Sequence, residues 1–492
     1  HTMQKSVILS IRACLCVLAL TVALPPLVQA SPYAFKHGFP ANAETIRQAQ
    51  DATDLRRAIE SYKFFFPTVA TEAVIQQFAP HGAIPNKVGI IMPQDPEQQF
   101  SVANQDTPYV ISVFDLKDGP IVIDVPAGPY IGLIDDHHME WFGDMGTIGS
   151  GKGKGEKNLL VPPGYDGEIP EGYTPLYCRT WKAVMAMRIM VQSGDYDDAV
   201  KLARKLKIYP LSEAGKPSGY RIVDVKGKPA PLPMLKWEKT MDYWRQLHAV
   251  VGNETAQQRH RFMLGMLDAI GIRKGELFAP DARMEALLMK AAKNGWSEMK
   301  VACFANSRPE RLVWKNRKWE FVPLAGPVNR ETKDFGTANY RDLLANDFYF
   351  FMAWGTSASI GKREAGPGSL YFYTPRDSSG AYLDGGKSYK LNVPGPVPAS
   401  LFWSVTVYDS ETRTIIDTDQ GRGAVRTIYE NPQPNKDGSF DIYFGPNKPE
   451  GKENHWVKTI PGKGWFTFLR IYGPQAPLFD GSYKLMDIEP LK

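Results

Sequence analysis

The sequence predicts an α+β protein that is mainly β, with an N-terminal antiparallel β module, a helical insert and a C-terminal jelly-roll-like β sandwich. Three observations carry this. Apolar residues alternate with a period of two from about residue 100 to 188, and again from about 365 to the end. Between about 195 and 300 the spacing lengthens to three and four, as on one face of a helix. The 492 residues include 43 Gly and 39 Pro without a short repeat, which suits many turns between short strands better than a helical bundle.

The elements follow in order. Residues 1–30 read as a cloning remnant and an export signal. Lys5 and Arg12 lead an apolar run, CLCVLALTVALPP, and V-Q-A at 28–30 fits cleavage after Ala30. That run is about 12 residues, short of the roughly 20 that a spanning helix needs. The mature chain is therefore expected to be periplasmic or secreted, with no membrane span. Residues 31–80 read as helical, with Pro67 expected to divide them into two helices. The N-terminal β module takes 81–194. In it VANQDTPYVISVFDL and IVIDVP read as a hairpin about Asp118-Gly119, and PYIGLIDDHHMEWF as the next strand. Residues 195–340 form the helical insert, from DDAVKLARKLKIYPL through ARMEALLMKAAKNGW. Residues 341–492 carry SLYFYTP, YKLNVPG, LFWSVTVYD, FDIYFGP and WFTFLRIYGP, short strands at turn-punctuated intervals.

Several function classes are disfavoured. A net charge of +5, with Lys and Arg scattered among acids, gives no nucleic-acid footprint. The mature chain keeps Cys178 and Cys303, neither in a CxxC pair, so two separate thiols are preferred to a bridge or a redox motif. GTIGSGKGKG at 146–155 opens like a phosphate-binding loop. Gly153, however, stands where a hydroxyl should reach the metal, and GEKNLLVPPG cannot begin the helix that such a loop requires.

A family resemblance rests on the order of several motifs. They are N-x-D-T-x-Y at 104–109, D-L-x-x-G-P at 115–120, PPGYDGEIPEG after the glycine loop, and LDAIGIRKGELF at 267–278. The C-terminal part adds G-x-x-Y-x-L at 386–391, LFWSVTVYD, DGSFDIYF and NHW…GWFTFLRIYGP. Together these resemble bacterial exported proteins built from two domains of unknown function, DUF-1254 and then DUF-1214. The resemblance implies two β modules with a helical connection, and homo-oligomers (dimer or tetramer). It implies no activity. The chain departs from the pattern at His138, Glu140 and Trp141, where small polar residues are usual.

Three clusters carry candidate chemistry. In DDHHMEW, 135–141, a strand would set Asp136, His138 and Glu140 on one face, with His137 and Trp141 on the other. This is a polar strand end, an acid–base pocket, or part of a zinc or manganese site completed from elsewhere. No cofactor is otherwise implied. The second cluster is Asn104, Asp106 and Tyr109, read either as a turn cap or as a base with its orienting groups. The third is Arg470, an arginine amid apolar strand residues. It must find a partner, with Asp409 or Asp441 the favoured structural ones, or a cavity and a ligand carboxylate.

The expectation is an exported protein binding a small organic molecule in a pocket of the N-terminal β module. Catalysis is open, with hydrolysis the favoured class. Asp106 or Asp136 would be the base and His137 or His138 the proton partner, with Asn104, Tyr109, Glu140, Trp141 and Arg470 contacting the ligand. The alternative is a non-catalytic scaffold that binds glycans or proteins through an aromatic β surface.

Overall fold

The computed structural model of the chain describes residues 33–191 and 193–492, so the signal read at 1–30 lies outside them. The chain divides into a unit ending at Thr53 and a unit from Asp54 to Lys492. In the first, Phe35–Lys36 pairs antiparallel with Phe39–Pro40. The helix Ala43–Gln77 begins in the first unit and continues into the second, which holds all the remaining elements.

Two β sandwiches form its ends. The N-terminal one has a six-stranded sheet in the order Arg221–Asp224, Val88–Met92, Tyr109–Asp115, Lys182–Ile189, Tyr130–Asp136, Trp141–Gly146. It faces a four-stranded sheet ordered Lys207–Pro210, Ile121–Val125, Glu156–Val161, Thr174–Tyr177. Phe114, Met185, Ile123 and Leu160 fill the space between them. The C-terminal sandwich stacks a five-stranded sheet (Glu320–Val322, Ser369–Thr374, Trp465–Pro474, Ala399–Asp409, Ala424–Arg426) on a four-stranded one. Its core includes Trp319, Phe372, Val405 and Leu469. A third core joins the outer faces of both sandwiches to the helices Ala43–Gln77, Met241–Asn253, Ala282–Ala305 and Leu343–Met352, through Phe65, Trp244, Met299 and Phe348.

The mainly-β architecture with a helical insert is as the sequence predicts, but four details differ. Helix Ala43–Gln77 runs through Pro67 unbroken. A proline inside a helix costs about 3 kcal/mol; Tyr62, Phe65, Phe66, Val69 and Ala73, buried on both sides of it, offset that cost. The strands flanking Asp118-Gly119 do not pair. Tyr109–Asp115 pairs with Lys182–Ile189, whereas Ile121–Val125 pairs with Glu156–Val161 in the opposite sheet. The turn therefore carries the chain across the sandwich. The helix expected from DDAVKLARKLKIYPL stops at Ala203, and Lys207–Pro210 returns to the N-terminal sandwich, as does Arg221–Asp224 beyond it. Glu320–Val322, expected in the helical insert, is an edge strand of the C-terminal sandwich.

The glycine loop closes on itself. Glu156 accepts hydrogen bonds from the Gly151 amide (2.8 Å) and the Ser150 hydroxyl (2.7 Å), occupying with its own carboxylate the donors that a phosphate would need. Cys178 and Cys303 are separate, buried thiols. No described helix is long and apolar enough to cross a membrane.

Candidate functional site: a cavity between the two sandwiches

Alternation along four strands builds this site. In Lys182–Ile189, Ala183, Met185 and Met187 enter their own sandwich core, while Val184 and Ala186 face the helical core. Arg188 shares the parity of the second set, so it too turns away from its sandwich. In Trp465–Pro474, Leu469 and Ile471 face inward; Phe466, Phe468 and, by the same parity, Arg470 face outward. Tyr109 and Tyr371 follow the same rule on their strands, opposite Val110 and Phe372. Register does the rest. Arg188 lies directly across from Tyr109, and Tyr371 across from Arg470.

These four side chains meet at one cavity of about 360 Å³ between the two β modules. That volume lies within the roughly 300–1,000 Å³ typical of small-molecule sites. Leu133, Ala186, Phe468, Trp354 and Ile360 supply apolar wall. Residues 353–369 form one side, held to the N-terminal module by two acids, the buried Asp135 and the half-buried Asp144. Asp144 accepts from the hydroxyls of Ser357 (2.7 Å) and Ser359 (2.8 Å), and Asp135 accepts from the Thr356 amide (2.6 Å). Burial pushes the Asp135 carboxyl well above its usual value.

The polar end is cationic. Arg188 is 8% exposed, and its guanidinium donates to the hydroxyls of Tyr109 (2.9 Å), Tyr371 (3.3 Å) and Ser369 (3.4 Å). Arg470 is 3% exposed; it donates to the Val102 carbonyl (3.0 Å) and to the Tyr408 hydroxyl, and its Nε has no partner. Among the described residues neither arginine forms an ion pair with a carboxylate; their hydrogen-bond partners are hydroxyls and a carbonyl, and they lie over the rings of Tyr109 and Tyr472 (Arg188) and of Tyr371, Tyr408 and Phe468 (Arg470). Burial alone would raise the Tyr371 phenol, but Arg188 and Arg470 outweigh it and hold that phenol below its usual value. Tyr371 also shares a 2.6 Å hydrogen bond with Ser369.

The residues singled out from sequence fall in two places. Asn104, Tyr109 and Arg470 line this cavity. Asn104 lies in a turn rather than on a strand, its Oδ1 accepting from the amides of Asp106 and Thr107 (both 3.2 Å). Asp106 is fully buried one shell behind, accepting from Tyr472 (2.6 Å) and Ser404 (2.8 Å), with its other oxygen unpartnered. Arg470 pairs with neither acid expected for it: Asp409 pairs with Lys463, and Asp441 accepts from Asn392.

The DDHHMEW cluster lies elsewhere and is not one continuous strand. Tyr130–Asp136 and Trp141–Gly146 are joined by a tight turn at 137–140, with Met139 at φ +58°. Asp136 makes the turn, its Oδ1 accepting from the amides of His138 (2.8 Å) and Glu140 (3.0 Å). Alternation therefore fails there. His137 lies between Glu254 (2.7 Å) and Glu72 (2.8 Å), and His138 accepts or donates to Thr68 (2.8 Å). Glu140 binds Arg259 (2.8 Å) and His260 (2.9 Å), and Trp141 donates to Asp144 (2.9 Å). The space beside His138 and Glu140 is about 10 Å³, room for at most one water. Among the described residues no group of three or more His, Cys, Asp or Glu side chains is arranged to hold a metal ion.

Titration of this cluster has a definite sign. Burial lowers His137, but its two glutamates outweigh that and raise it above its usual 6.5. Burial raises Glu72 and Glu254, but His137 outweighs that and lowers both below their usual 4.5. The histidine's contribution is complete below about pH 6.5 and fades as pH rises through its folded value. The glutamates' contribution is complete above about pH 4.5 and fades as pH falls through theirs. The stability lost in His137→Gln, measured by urea unfolding across pH, is expected to be greatest between about pH 4.5 and 6.5. A difference independent of pH would contradict the charged His137.

Sequence reasoning found one cavity arginine and missed the other. MAMRIMV at 185–191 carries the signal that marked FTFLRIYG, a lone arginine on an alternating apolar strand. Tyr371 carried no such mark, since SLYFYTP reads as ordinary strand.

Comparison with known proteins bears on the family and the fold. Residues 86–210 match the family described as "Protein of unknown function (DUF1254)", and residues 368–476 match "Protein of unknown function (DUF1214)". No curated protein matches. The crystal structure of the VPA0106 protein from Vibrio parahaemolyticus is similar in fold, with a TM-score of 0.55 at 16% identity, covering 89% of this chain and 100% of that one. A putative uncharacterized protein from Burkholderia cenocepacia aligns with a TM-score of 0.38 at 11% identity, over 90% of this chain and 95% of that one. The first match falls in the N-terminal sandwich and the second in the C-terminal one, in the order the motifs predict, so the chain carries a DUF1254 region followed by a DUF1214 region, both of unknown function.

Proposed function

We propose that the protein binds a small organic anion in the cavity between its two sandwiches, with Arg188 and Arg470 as the anion-holding groups. One observation carries this: two buried guanidiniums line a cavity of about 360 Å³ and form no ion pair among the described residues. A buried cation without a counter-charge costs several kcal/mol unless something compensates it. A ligand anion is such a compensation, and the apolar walls suit an organic one. Glycan binding by an exposed aromatic face draws no support from Trp403, Tyr408, Trp456, Trp465 and Tyr472, which are all buried. Hydrolysis at Asp136 and the neighbouring histidines lacks room for a substrate, as the space there is about 10 Å³.

The test is a thermal-shift screen of organic acids against their neutral amides, on the wild type and on Ala186→Phe, which fills the cavity. Acids should raise the melting temperature of the wild type alone. Equal shifts in both proteins, or none from any acid, would overturn the reading.

Proton transfer to or from the bound anion is a second reading, favoured by Tyr371. Its phenol lines the cavity and is held below its usual value by two guanidiniums. Ultraviolet titration should show one phenolate forming in the wild type below the usual tyrosine range of about 10, absent in Tyr371→Phe. Identical titration curves would remove this reading. The pattern at 3–30 supports export to the periplasm, checked by cell fractionation. Homo-oligomers are checked by light scattering of the mature chain, where a monomer mass would reject them.

A further inference from the structure

We infer that the ligand is a monocarboxylate on an apolar body, seated with its carboxylate between Arg188 and Arg470 and its body against Leu133, Trp354 and Phe468. The inference rests on the anion reading just given and goes beyond it by naming the head group and the tail.

Charge sets the head group. The cavity floor holds two guanidiniums, and the nearby acid is Asp106, which stands behind Tyr472. Asp106 acts on Arg470 and on Arg426, the latter itself paired with Glu430 at 2.7 Å. At the rim Lys362 pairs with Glu364 at 3.6 Å and cancels locally, and the exposed Arg330 lies over the Trp141 ring and acts on Asp144. The floor is therefore left with about one uncompensated positive charge, which one carboxylate neutralises. A phosphate dianion would carry a second negative charge onto a buried floor with no further cation, at the desolvation cost of a buried excess charge. Geometry agrees, since a guanidinium presents parallel N–H donors matched to the two oxygens of a carboxylate. Tyr371 and Tyr109, already hydrogen-bonded to Arg188, stand where a carboxylate oxygen can accept from a phenol as well.

The walls set the body. Away from the floor one stretch of the lining is aliphatic and aromatic (Ile131, Leu133, Ala186, Trp354, Ile360 and Phe468), while Gln94, Ser101 and Thr147 add polar groups elsewhere. A polar body would lose its water there without replacement hydrogen bonds.

Calorimetric titration of the full mature chain with octanoate, octanamide, octyl phosphate and acetate separates the possibilities, because the first three share a tail and the first and last share a head. Octanoate is expected to bind at least about tenfold more tightly than each of the others, consistent with a charge-assisted contact and an apolar tail. In Arg188→Gln, octanoate should fall to the level of octanamide. Octyl phosphate matching or exceeding octanoate would overturn the carboxylate and leave the anion reading intact. Acetate matching octanoate would overturn the apolar body alone. Octanamide matching octanoate would overturn both the inference and the anion reading. Failure of all four would overturn the inference, and the acid screen on Ala186→Phe then decides the reading separately.

Discussion

Arg188→Met is expected to weaken organic-anion binding by roughly 100-fold while leaving the urea midpoint unchanged or slightly raised. The two halves of this result come from the same cause. Arg188 is 8% exposed; it donates to the hydroxyls of Tyr109, Tyr371 and Ser369 and lies over the rings of Tyr109 and Tyr472, both at 5.5 Å. Its hydrogen bonds return part of the hydration that burial removed, but no carboxylate balances its charge. Methionine fills similar volume without a charge to desolvate, and the hydroxyls it abandons line a cavity that admits water. Removing a charged contact to a ligand costs about 1.5–3 kcal/mol, which is about 10- to 150-fold in affinity. A purely structural arginine gives the opposite pattern, so a loss of more than about 2 kcal/mol of stability with unchanged binding would contradict the account. Calorimetry and urea unfolding on the same preparation read both halves.

Glu238→Ala is expected to destabilise the chain by about 3–5 kcal/mol, the largest single stability effect anticipated here. Arg413 is 1% exposed and Glu238 3%. Glu238 holds Arg413 with both oxygens, at 2.6 and 3.1 Å. Arg413 also donates to the carbonyls of Phe351 (3.1 Å) and Glu411 (2.8 Å), so it ties the C-terminal sandwich to the helix Leu343–Met352. Alanine would leave this guanidinium buried without its counter-charge. The contrast with Arg188 is instructive: one buried arginine has a bidentate carboxylate and belongs to the fold, whereas the other has none and faces a cavity. Glu238→Leu combined with Arg413→Met should recover more than half of the loss, because the lone charge is then gone. Urea midpoints of the two single variants and the double variant check this, and additive losses would contradict it.

The sequence carries the mainly-β class because period-two patterning reports a half-buried strand directly. It misleads where a polar side chain bends the backbone. DDHHMEW has the composition of a strand end, but Asp136 captures two downstream amides and turns the chain, so face assignments by alternation break at His137. Partners distant in sequence are equally hidden. Glu72 and Glu254 reach His137 across 65 and 117 residues, and only packing brings them together. The cavity was half legible. An arginine in an apolar strand demands a partner, and that logic marked Arg470; the same logic applies to Arg188. What no single strand reveals is that their outward faces oppose one another across the two modules. That depends on the helical layer, which spaces the sandwiches, and on Asp135 and Asp144, which hold residues 356–359 in place.

The most direct test of the central claim is a crystal of the mature chain grown with a bromine-labelled fatty acid, with the label located by anomalous scattering. The account predicts a bromine peak inside the cavity near Trp354 and Ile360, with carboxylate density against Arg188 and Arg470. A bound label whose carboxylate meets neither arginine, or a cavity filled only by water at saturating acid, would contradict it.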